Sequence, residues 1–265
     1  MKDNELQIIE KLTGVSPDKV KLADDGFWSR GYIIDDGCIV FKFKKSPNVS
    51  YKTEIKALDF INSLNLGINV QKVGWVAPND TYLGIYGVKG KSLEDINYDY
   101  KIVGCQLATA LRELHRSHPE GAEVMTQNEE ISAWQERYRK SHDKLLRYFS
   151  EAEIARFDSF MFKAVPKELT KLGEKLIFSH GDLGDGNILV DKNGKVGIID
   201  FSEILYLDEA ADFMDVSSNE LREQMLDTYG ADDILKEKVA LRVLTRPLFV
   251  LGDYIKRGNI YLIQY

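Results

Sequence analysis

The alternation of hydrophobic and polar positions in the N-terminal third of the chain predicts a small β-rich lobe. Short runs rich in β-branched and aromatic residues, bounded by turn formers such as Asp35-Asp36-Gly37, predict strands. These runs cover residues 20–22, 31–34, 38–43, 69–76 and 82–88. Apolar residues at helical spacing predict helices over residues 4–14 and 49–64. The pattern indicates a small antiparallel sheet accompanied by helix.

Beyond Gly90 the spacing of apolar residues becomes helical. Helices are predicted over residues 100–115, 129–148, 151–164, 166–174, 208–228 and 232–256. Ser92, with Asp95 three residues later, resembles a capping box ahead of the first of them. The chain is therefore predicted to have an α+β fold with an N-terminal lobe, residues 1–88, and a mainly helical C-terminal lobe, residues 89–265.

Composition and charge narrow the class of protein. A chain of 265 residues with 44% hydrophobic residues can bury a full core without disulfides, so Cys38 and Cys105 are expected to be small core residues in a reducing compartment. The net charge of −7 argues against a nucleic-acid partner and agrees with a cationic small substrate. The sequence shows neither a signal peptide nor an apolar run long enough to span a membrane. We expect a cytoplasmic monomer or weak dimer with no membrane partner.

A predicted hairpin between the later helices carries polar side chains at both of its ends. Residues 178–190 read F-S-H-G-D-L-G-D-G-N-I-L-V, and a turn at Asn193-Gly194 folds the following strand back, which places Asp200 beside Asn187. Asp182 and Asn187 have the spacing of a kinase catalytic loop, in which the Asp accepts a hydroxyl proton and the Asn and a later Asp hold magnesium. Carboxylates beside such apolar strands would be costly without a cation. We predict Asp182 as the catalytic base and Asn187 and Asp200 as metal ligands.

The N-terminal lobe offers residues for a nucleotide. Lys42 lies in a predicted strand and Glu54 in the next helix, the arrangement that holds the α and β phosphates in kinases; Lys44, on the same face, is the weaker alternative. The hydroxyl of Ser29, in the turn between the first strands, is a weaker candidate for covering phosphates. The linker Tyr86-Gly87-Val88 could pair its backbone with a purine, and ATP and GTP both stay open.

These motifs resemble those of the aminoglycoside phosphotransferase family, antibiotic kinases with a protein-kinase-like fold. The resemblance is strongest over residues 178–190 and 197–201, and it extends to 39–43 and 82–93. It implies a bilobal fold, the same roles for the residues named above, and magnesium-dependent transfer of a nucleotide γ-phosphoryl group to an aminoglycoside hydroxyl. Asp208 and Asp212 match the family's D-x-x-x-D, in which the second Asp is structural. Residues 39–43 are similar to the 2''-branch and the catalytic loop to the 3'-branch, so the hydroxyl position stays open.

The resemblance also implies that carboxylates of the helical lobe hold a cationic substrate. The candidates are Glu203, Asp215, Glu220 and the C-terminal carboxylate of Tyr265. One alternative is a kinase of another small hydroxylated compound, such as choline, a sugar, homoserine or a macrolide. Another is a non-catalytic nucleotide-binding regulator, against which the retained Lys42 and Asp182 argue. A protein kinase is disfavoured, because no A-P-E triplet follows the short segment between Asp200 and Asp212.

Overall fold

The N-terminal part of the protein is an antiparallel sheet with a helix before it and another inserted in it. The computed structural model describes residues 3–24 and 29–257, without the side chains of Asp24, Glu203 and residues 252–257. The elements of this part are α1 (Asp3–Thr13), β1 (Val20–Asp24), β2 (Ser29–Ile34), β3 (Ile39–Lys44), α2 (Lys52–Ser63), β4 (Asn69–Val70), β5 (Lys72–Val76) and β6 (Tyr82–Tyr86). The sheet has the strand order β1-β2-β3-β6-β5, with antiparallel neighbours.

Side-chain alternation along β3 separates an apolar face from a polar one. Phe41 and Phe43 are buried in a cluster with Ile9 of α1 and Tyr32 of β2. Since successive strand side chains point to opposite faces, Lys42 lies on the other face of the sheet, where it bonds Glu54 of α2. The strand pattern thus aims this lysine at the inserted helix.

The C-terminal part is mainly helical. Its elements are β7 (Lys91–Ser92), α3 (Tyr100–His115), α4 (Gln127–Arg139), α5 (His142–Leu145), α6 (Glu151–Ser159), α7 (Val165–Leu172), β8 (Leu176–Ser179), β9 (Ile188–Val190), β10 (Val196–Ile198), β11 (Leu205–Asp208), α8 (Ala211–Met214), α9 (Asn219–Tyr229) and α10 (Asp233–Arg257). A tight π-helical turn over Phe160–Ala164 joins α6 to α7. Within the described ranges, no helix is long and apolar enough to cross a membrane.

Short strands hold the catalytic segment between the two parts. β9 and β10 form the predicted antiparallel hairpin, which lies in a sheet of order β4-β10-β9-β7. The loop between them turns through Gly194, whose φ of 77° suits glycine. β8, which leads into the catalytic loop, pairs with β11. These pairings place the loop of residues 180–187 and the start of the segment at Asp200 side by side.

Some predicted boundaries are wrong for identifiable reasons. Residues 208–228 form no single helix, because the buried Asp208 carboxylate accepts from Lys175 N (3.1 Å) and Ala210 N (3.2 Å) and fixes a turn there. The run 69–76 divides into β4 and β5, which belong to different sheets. Ser92 does not cap α3, whose cap is Asp99; it precedes a 3-10 turn over Leu93–Asp95, and its hydroxyl donates to the Asp95 carboxylate (3.1 Å). Cys105 is exposed rather than in the core.

The main hydrophobic cluster spans both parts of the chain. It joins Leu58 and Leu83 of the N-terminal part to Leu107, Ile198 and Phe213 of the C-terminal part. The boundary between two lobes at residue 88 therefore stays a prediction, because the hydrophobic core continues across it.

Gly197→Ala is expected to destabilise this junction. A Cβ at Gly197 of β10 would overlap Val88 Cγ1 and approach Asn69 O to 3.1 Å. Overpacking of this kind costs about 1–3 kcal/mol. Urea unfolding measures the loss, with Gly184→Ala as the control because a Cβ there meets no atom within 4 Å. Equal stabilities of the two variants would contradict the packing account.

Candidate active site

The cleft between the two parts brings Lys42, Glu54 and Asp200 together. Lys42 Nζ donates to Glu54 Oε1 at 2.7 Å and to Asp200 Oδ1 at 3.3 Å. Glu54 is buried on α2, while the Asp200 side chain is 44% exposed to the cleft. Lys44, the alternative, instead bonds Asp80 Oδ2 at 2.6 Å. The structure therefore pairs Lys42, and not Lys44, with Glu54.

The charges in this triad stabilise one another. Burial favours the neutral amine of Lys42, but the carboxylates of Glu54 and Asp200 outweigh it and raise the pKa of Lys42. Burial likewise opposes ionisation of Asp200, but the Lys42 ammonium and the Ser202 hydroxyl outweigh it and hold the pKa of Asp200 below its usual range. The lysine therefore stays cationic and Asp200 anionic at neutral pH.

Asp200 adopts an unusual backbone conformation. Its φ of 63° and ψ of 67° lie in the left-handed region, which costs a non-glycine residue energy. Its N–H donates to the buried Gln71 Oε1 at 2.9 Å, and Ser202 Oγ donates to its Oδ1 at 2.9 Å. These bonds hold a strained residue whose carboxylate is directed to Lys42.

Asp182 and Asn187 are linked across the catalytic loop. Asn187 Nδ2 donates to Asp182 O at 2.8 Å and to Asp182 Oδ2 at 3.1 Å. Asp182 is exposed, as a base that must reach a bound substrate has to be. Because the amide nitrogen of Asn187 faces Asp182, its oxygen points the other way and can serve a second partner.

A buried carboxylate anchors the same loop. Asp212, at the start of α8, is 1% exposed and accepts from His180 N and Gly181 N, each at 2.9 Å. His115 Nε2 of α3 bonds Asp212 Oδ2 at 3.0 Å. Burial would raise the pKa of Asp212, but the bonds from His115 and the loop N–H groups outweigh it and lower that pKa. His180 Nε2 in turn donates to Ile199 O at 3.0 Å, which ties the loop to the segment before Asp200.

His115, the partner of Asp212, is a residue of this network that the sequence analysis did not single out. Both of its ring nitrogens are used, Nδ1 by Tyr229 OH at 2.9 Å and Nε2 by Asp212. The feature of the sequence that could have revealed it is the position of His115 on the apolar stripe of α3, next to Leu111 and Leu114. A polar residue on such a stripe needs a buried partner.

The cleft beside the triad has a volume of about 790 Å³. Apolar side chains of Ile33, Val40 and Ile199 line one portion. The predicted phosphate residues Lys42 and Ser29 line the same cleft, as do Asn187 and Asp200. A cleft lined by both apolar and charged side chains suits a ligand that is part aromatic ring and part phosphate.

The linker at Tyr86-Gly87-Val88 differs from the prediction in one respect. The Gly87 N–H is not free for a purine, because it donates to Cys38 O at 2.8 Å. Tyr86 is 49% exposed, and the buried Val88 side chain packs on β10. Any purine contact by Gly87 would have to use its carbonyl oxygen.

The predicted substrate carboxylates that lie in the described part of the chain already have partners. Asp215, at the end of α8, accepts from Arg246 Nε of α10. Burial nevertheless raises the pKa of Asp215, with Asp182 and Asp212 contributing. Glu220 is exposed and accepts from Ser218 Oγ at 3.0 Å. The Glu203 side chain and Tyr265 lie outside the described residues.

The donor set near Asp200 fits a magnesium ion. Mg²⁺ prefers oxygen ligands and is commonly held by one or two carboxylates together with substrate phosphates. Asp200 supplies a carboxylate and Asn187 an amide oxygen, both on the wall of the cleft. Among the residues that the structure describes, no three His, Cys, Asp or Glu side chains come together as a self-sufficient metal site. An ion here would depend on a bound phosphate for part of its coordination.

The residues in this cleft are of the types that a phosphotransferase uses. The sequence model of the phosphotransferase enzyme family matches residues 19–243, which is most of the chain. The protein belongs to that family. A search of curated proteins found no significant match.

Solved structures with the same fold cover nearly the whole chain. The streptomycin-ATP complex of APH(2")-IIa matches with a TM-score of 0.72 and 15% identity, over 100% of this chain and 97% of that one. The GDP and kanamycin complex of APH(2")-IIIa matches at 0.68 and 20%, over 97% and 93%. Macrolide 2'-phosphotransferase MphH from Brachybacterium faecium matches at 0.65 and 16%, over 97% and 93%. At these identities the likeness shows the fold.

Proposed function

We propose that the protein transfers the γ-phosphoryl group of ATP or GTP, with magnesium, to a hydroxyl of an aminoglycoside antibiotic and so inactivates it. The observation that supports this proposal is a cleft lined by Lys42, Asn187 and Asp200, with Asp182 hydrogen-bonded to Asn187. Lys42 reaches Asp200 at 3.3 Å, and Asn187 reaches Asp182 at 3.1 Å. Nucleoside triphosphates are cytoplasmic, so we place the reaction there.

In this mechanism the N-terminal residues hold the nucleotide. Lys42 neutralises charge on the phosphates and is kept in position by Glu54 at 2.7 Å. Ser29 Oγ lies on the wall of the same cleft and can donate to a phosphate oxygen. A magnesium ion held by Asn187 and Asp200 would neutralise charge on the phosphate oxygens when bound. The purine lies between the apolar walls near Tyr86, Gly87 and Val88.

Asp182 acts on the acceptor. Its exposed carboxylate accepts the proton of the attacking hydroxyl or orients that hydroxyl, while Asn187 holds its Oδ2. Transfer is direct and in line, so positioning and charge neutralisation provide most of the rate enhancement. Asp212 keeps the loop in shape through the N–H groups of His180 and Gly181.

The acceptor is proposed to be cationic because the carboxylate of Asp215 lies near that of Asp182. The two are close enough for the Asp182 charge to act on Asp215. An acceptor ammonium group that binds Asp215 would have to displace Arg246. Several solved structures are similar to this chain, and two of them are complexes with streptomycin and kanamycin. This similarity supports an aminoglycoside as the acceptor.

A second candidate acceptor is a macrolide or another small hydroxylated compound. Asp215 is already paired with the Arg246 guanidinium, which reduces the negative charge available to a polycation. The fold of the macrolide 2'-phosphotransferase is also similar to this one. The cleft residues that hold a nucleotide would serve either acceptor equally.

The test is release of nucleoside diphosphate from ATP and from GTP, with magnesium, across aminoglycosides, macrolides, choline and simple sugars. Stimulation by an aminoglycoside subset would support the proposal. Stimulation by a macrolide alone would support the second candidate. Metal-independent nucleotide binding without turnover on any hydroxyl compound would instead support a non-catalytic regulator.

Lys42→Met is expected to lower kcat/KM by about 10²–10³-fold, because it removes a cation that stabilises charge during transfer. Steady-state kinetics with saturating acceptor measures the effect. Lys21→Met is the control, since Lys21 forms an exposed ion pair with Asp36 at 3.3 Å. Similar rates for the two variants would contradict the assignment of Lys42 to the phosphates.

A further inference from the structure

Asp80, an aspartate outside the predicted catalytic residues, is hydrogen-bonded to residues of one wall of the cleft. Asp80 lies in the turn between β5 and β6, and its side chain is 21% exposed. Its carboxylate accepts from Lys44 Nζ at 2.6 Å, Ser50 Oγ at 3.1 Å and Tyr51 N at 3.3 Å. These donors belong to the end of β3 and to the segment that leads into α2. One carboxylate thus joins the far end of the sheet to that segment.

Tyr51 extends this contact to the phosphate side of the cleft. Its ring is 3% exposed, Lys44 Nζ lies 5.5 Å from the ring centroid, and its hydroxyl is 2.9 Å from Ser29 Oγ. Burial raises the pKa of Tyr51 to about 12, so the hydroxyl stays protonated and able to donate. Ser29 begins β2 and lines the nucleotide cleft.

The residues joined in this way form a continuous part of the cleft surface. Ser29, Ser50 and Tyr51 all line it, together with their neighbours Asn48 and Val49. Lys42 and Glu54 line it as well, and Tyr51 is close enough to both for their charges to affect its hydroxyl. The wall next to the phosphate-binding lysine therefore depends on contacts that converge on Asp80.

The contacts of its carboxylate, and not its backbone conformation, set Asp80 apart. Its φ of 57° is left-handed, which an aspartate tolerates. Burial acts to raise the pKa of Asp80, but Lys44, Ser50 and the Tyr51 N–H outweigh it and lower that pKa. Asp36 has a similar φ of 48°, and its carboxylate pairs with the exposed Lys21 at 3.3 Å. Asp36 therefore supplies a matched comparison.

We propose that Asp80 is a positioning residue for the nucleotide: it fixes residues 46–51 and, through the Tyr51 hydroxyl, sets the place of Ser29 in the cleft. The proposal rests on the proposed function, which puts the phosphates in this cleft. Asp80 touches no reacting atom in this account. It acts through Lys44, Ser50 and Tyr51.

Asp80→Asn tests the proposal with little disturbance of the backbone, because asparagine also tolerates a left-handed φ. The amide cannot balance the Lys44 charge and replaces one acceptor oxygen by a donor. We expect the Kd for magnesium-nucleotide to rise about tenfold, equivalent to about 1.4 kcal/mol, with the acceptor KM unchanged. A merely structural residue would instead reduce the active fraction, and hence kcat, without changing the nucleotide Kd.

Tyr51→Phe provides a second test that removes only a hydroxyl. We expect the nucleotide Kd to rise about threefold. In the double variant with Asp80→Asn, the loss of binding free energy should be smaller than the sum of the two single losses, because both changes interrupt one chain of contacts. Should Asp80→Asn fail to fold, Tyr51→Phe alone decides. A wild-type Kd in Tyr51→Phe would then overturn the proposal.

Calorimetry on the full chain measures the binding of ATP and GTP directly, with Asp36→Asn as the control. It separates failure of the proposed function from failure of the role of Asp80. If the wild type binds no nucleotide, the proposed function itself fails. If the wild type binds and Asp80→Asn binds equally well, or Asp36→Asn loosens binding as much, only the role of Asp80 is overturned. Selective loosening in Asp80→Asn and Tyr51→Phe supports it.

Discussion

Asp182→Ala is expected to lower kcat by about 10²–10⁴-fold, the usual contribution of a positioned general base. Asp182 is exposed on the catalytic loop, and among the described residues its carboxylate accepts from Asn187 Nδ2 at 3.1 Å. The substitution removes no contact to Lys42, Glu54 or Asp200, so nucleotide binding should change little. Steady-state turnover and calorimetric nucleotide binding, measured on the same preparation, separate the two effects.

Asp200→Ala is the informative contrast to this variant. It removes a proposed magnesium ligand and leaves Lys42 with Glu54 alone, so both magnesium-nucleotide affinity and turnover should fall. Asp227→Ala serves as the control, because Asp227 forms an exposed ion pair with Lys236 at 2.9 Å. Near wild-type turnover in both Asp182→Ala and Asp200→Ala would refute the assignment of the site.

Asp212→Asn is expected to cause the largest loss of stability. Both carboxylate oxygens accept from N–H groups at 2.9 Å, and an asparagine nitrogen would face a donor at one of them. Removing one partner of a buried charged network costs about 3–5 kcal/mol. Because these bonds shape the loop at His180 and Gly181, kcat should fall as well. Urea unfolding gives the stability change, with Asp227→Asn as the exposed counterpart.

The loss of folding stability in Asp212→Asn should decrease as the pH falls. The pKa of Asp212 is lowered in the folded protein, so its stabilising contribution is present above the unfolded value of about 3.9 and is lost as pH falls through the folded value. The stability gap to wild type should therefore be full at neutral pH and should narrow in acid below about pH 4. A gap that stays constant or widens on acidification would show that the charge of Asp212 is not responsible.

The parts of the site that rest on local periodicity could be predicted from the sequence. Strand alternation put Lys42 and Lys44 on one face of β3, and the kinase arrangement of a strand lysine with a glutamate on the next helix favoured Lys42 with Glu54, now observed at 2.7 Å. The apolar strands and turn around Gly194 predicted the hairpin, which is confirmed as β9 and β10. These features are local because each depends on residues within one or two adjacent elements.

The parts that failed depend on contacts between distant residues. Asp215 could not be read as paired, because Arg246 lies 31 positions away on another helix. The turn at Asp208, which begins the predicted helix 208–228, involves Lys175, whose N–H directly before β8 donates to Asp208. The engaged Gly87 N–H follows from its approach to Cys38, directly before β3. The periodicity of hydrophobic residues carries no information about such pairings. The residues proposed to bind the acceptor were therefore predicted less well than those proposed to bind the nucleotide.

The most direct test of the central claim is the mass of the acceptor after incubation with the wild-type protein, magnesium and ATP or GTP. The account predicts that one acceptor of the aminoglycoside panel gains a single phosphoryl group, and that Asp182→Ala yields none of this product under the same conditions while still binding nucleotide. Formation of the same product by Asp182→Ala at the wild-type rate would contradict the account. So would nucleotide binding by the wild type with no phosphorylated product from any hydroxyl compound tested.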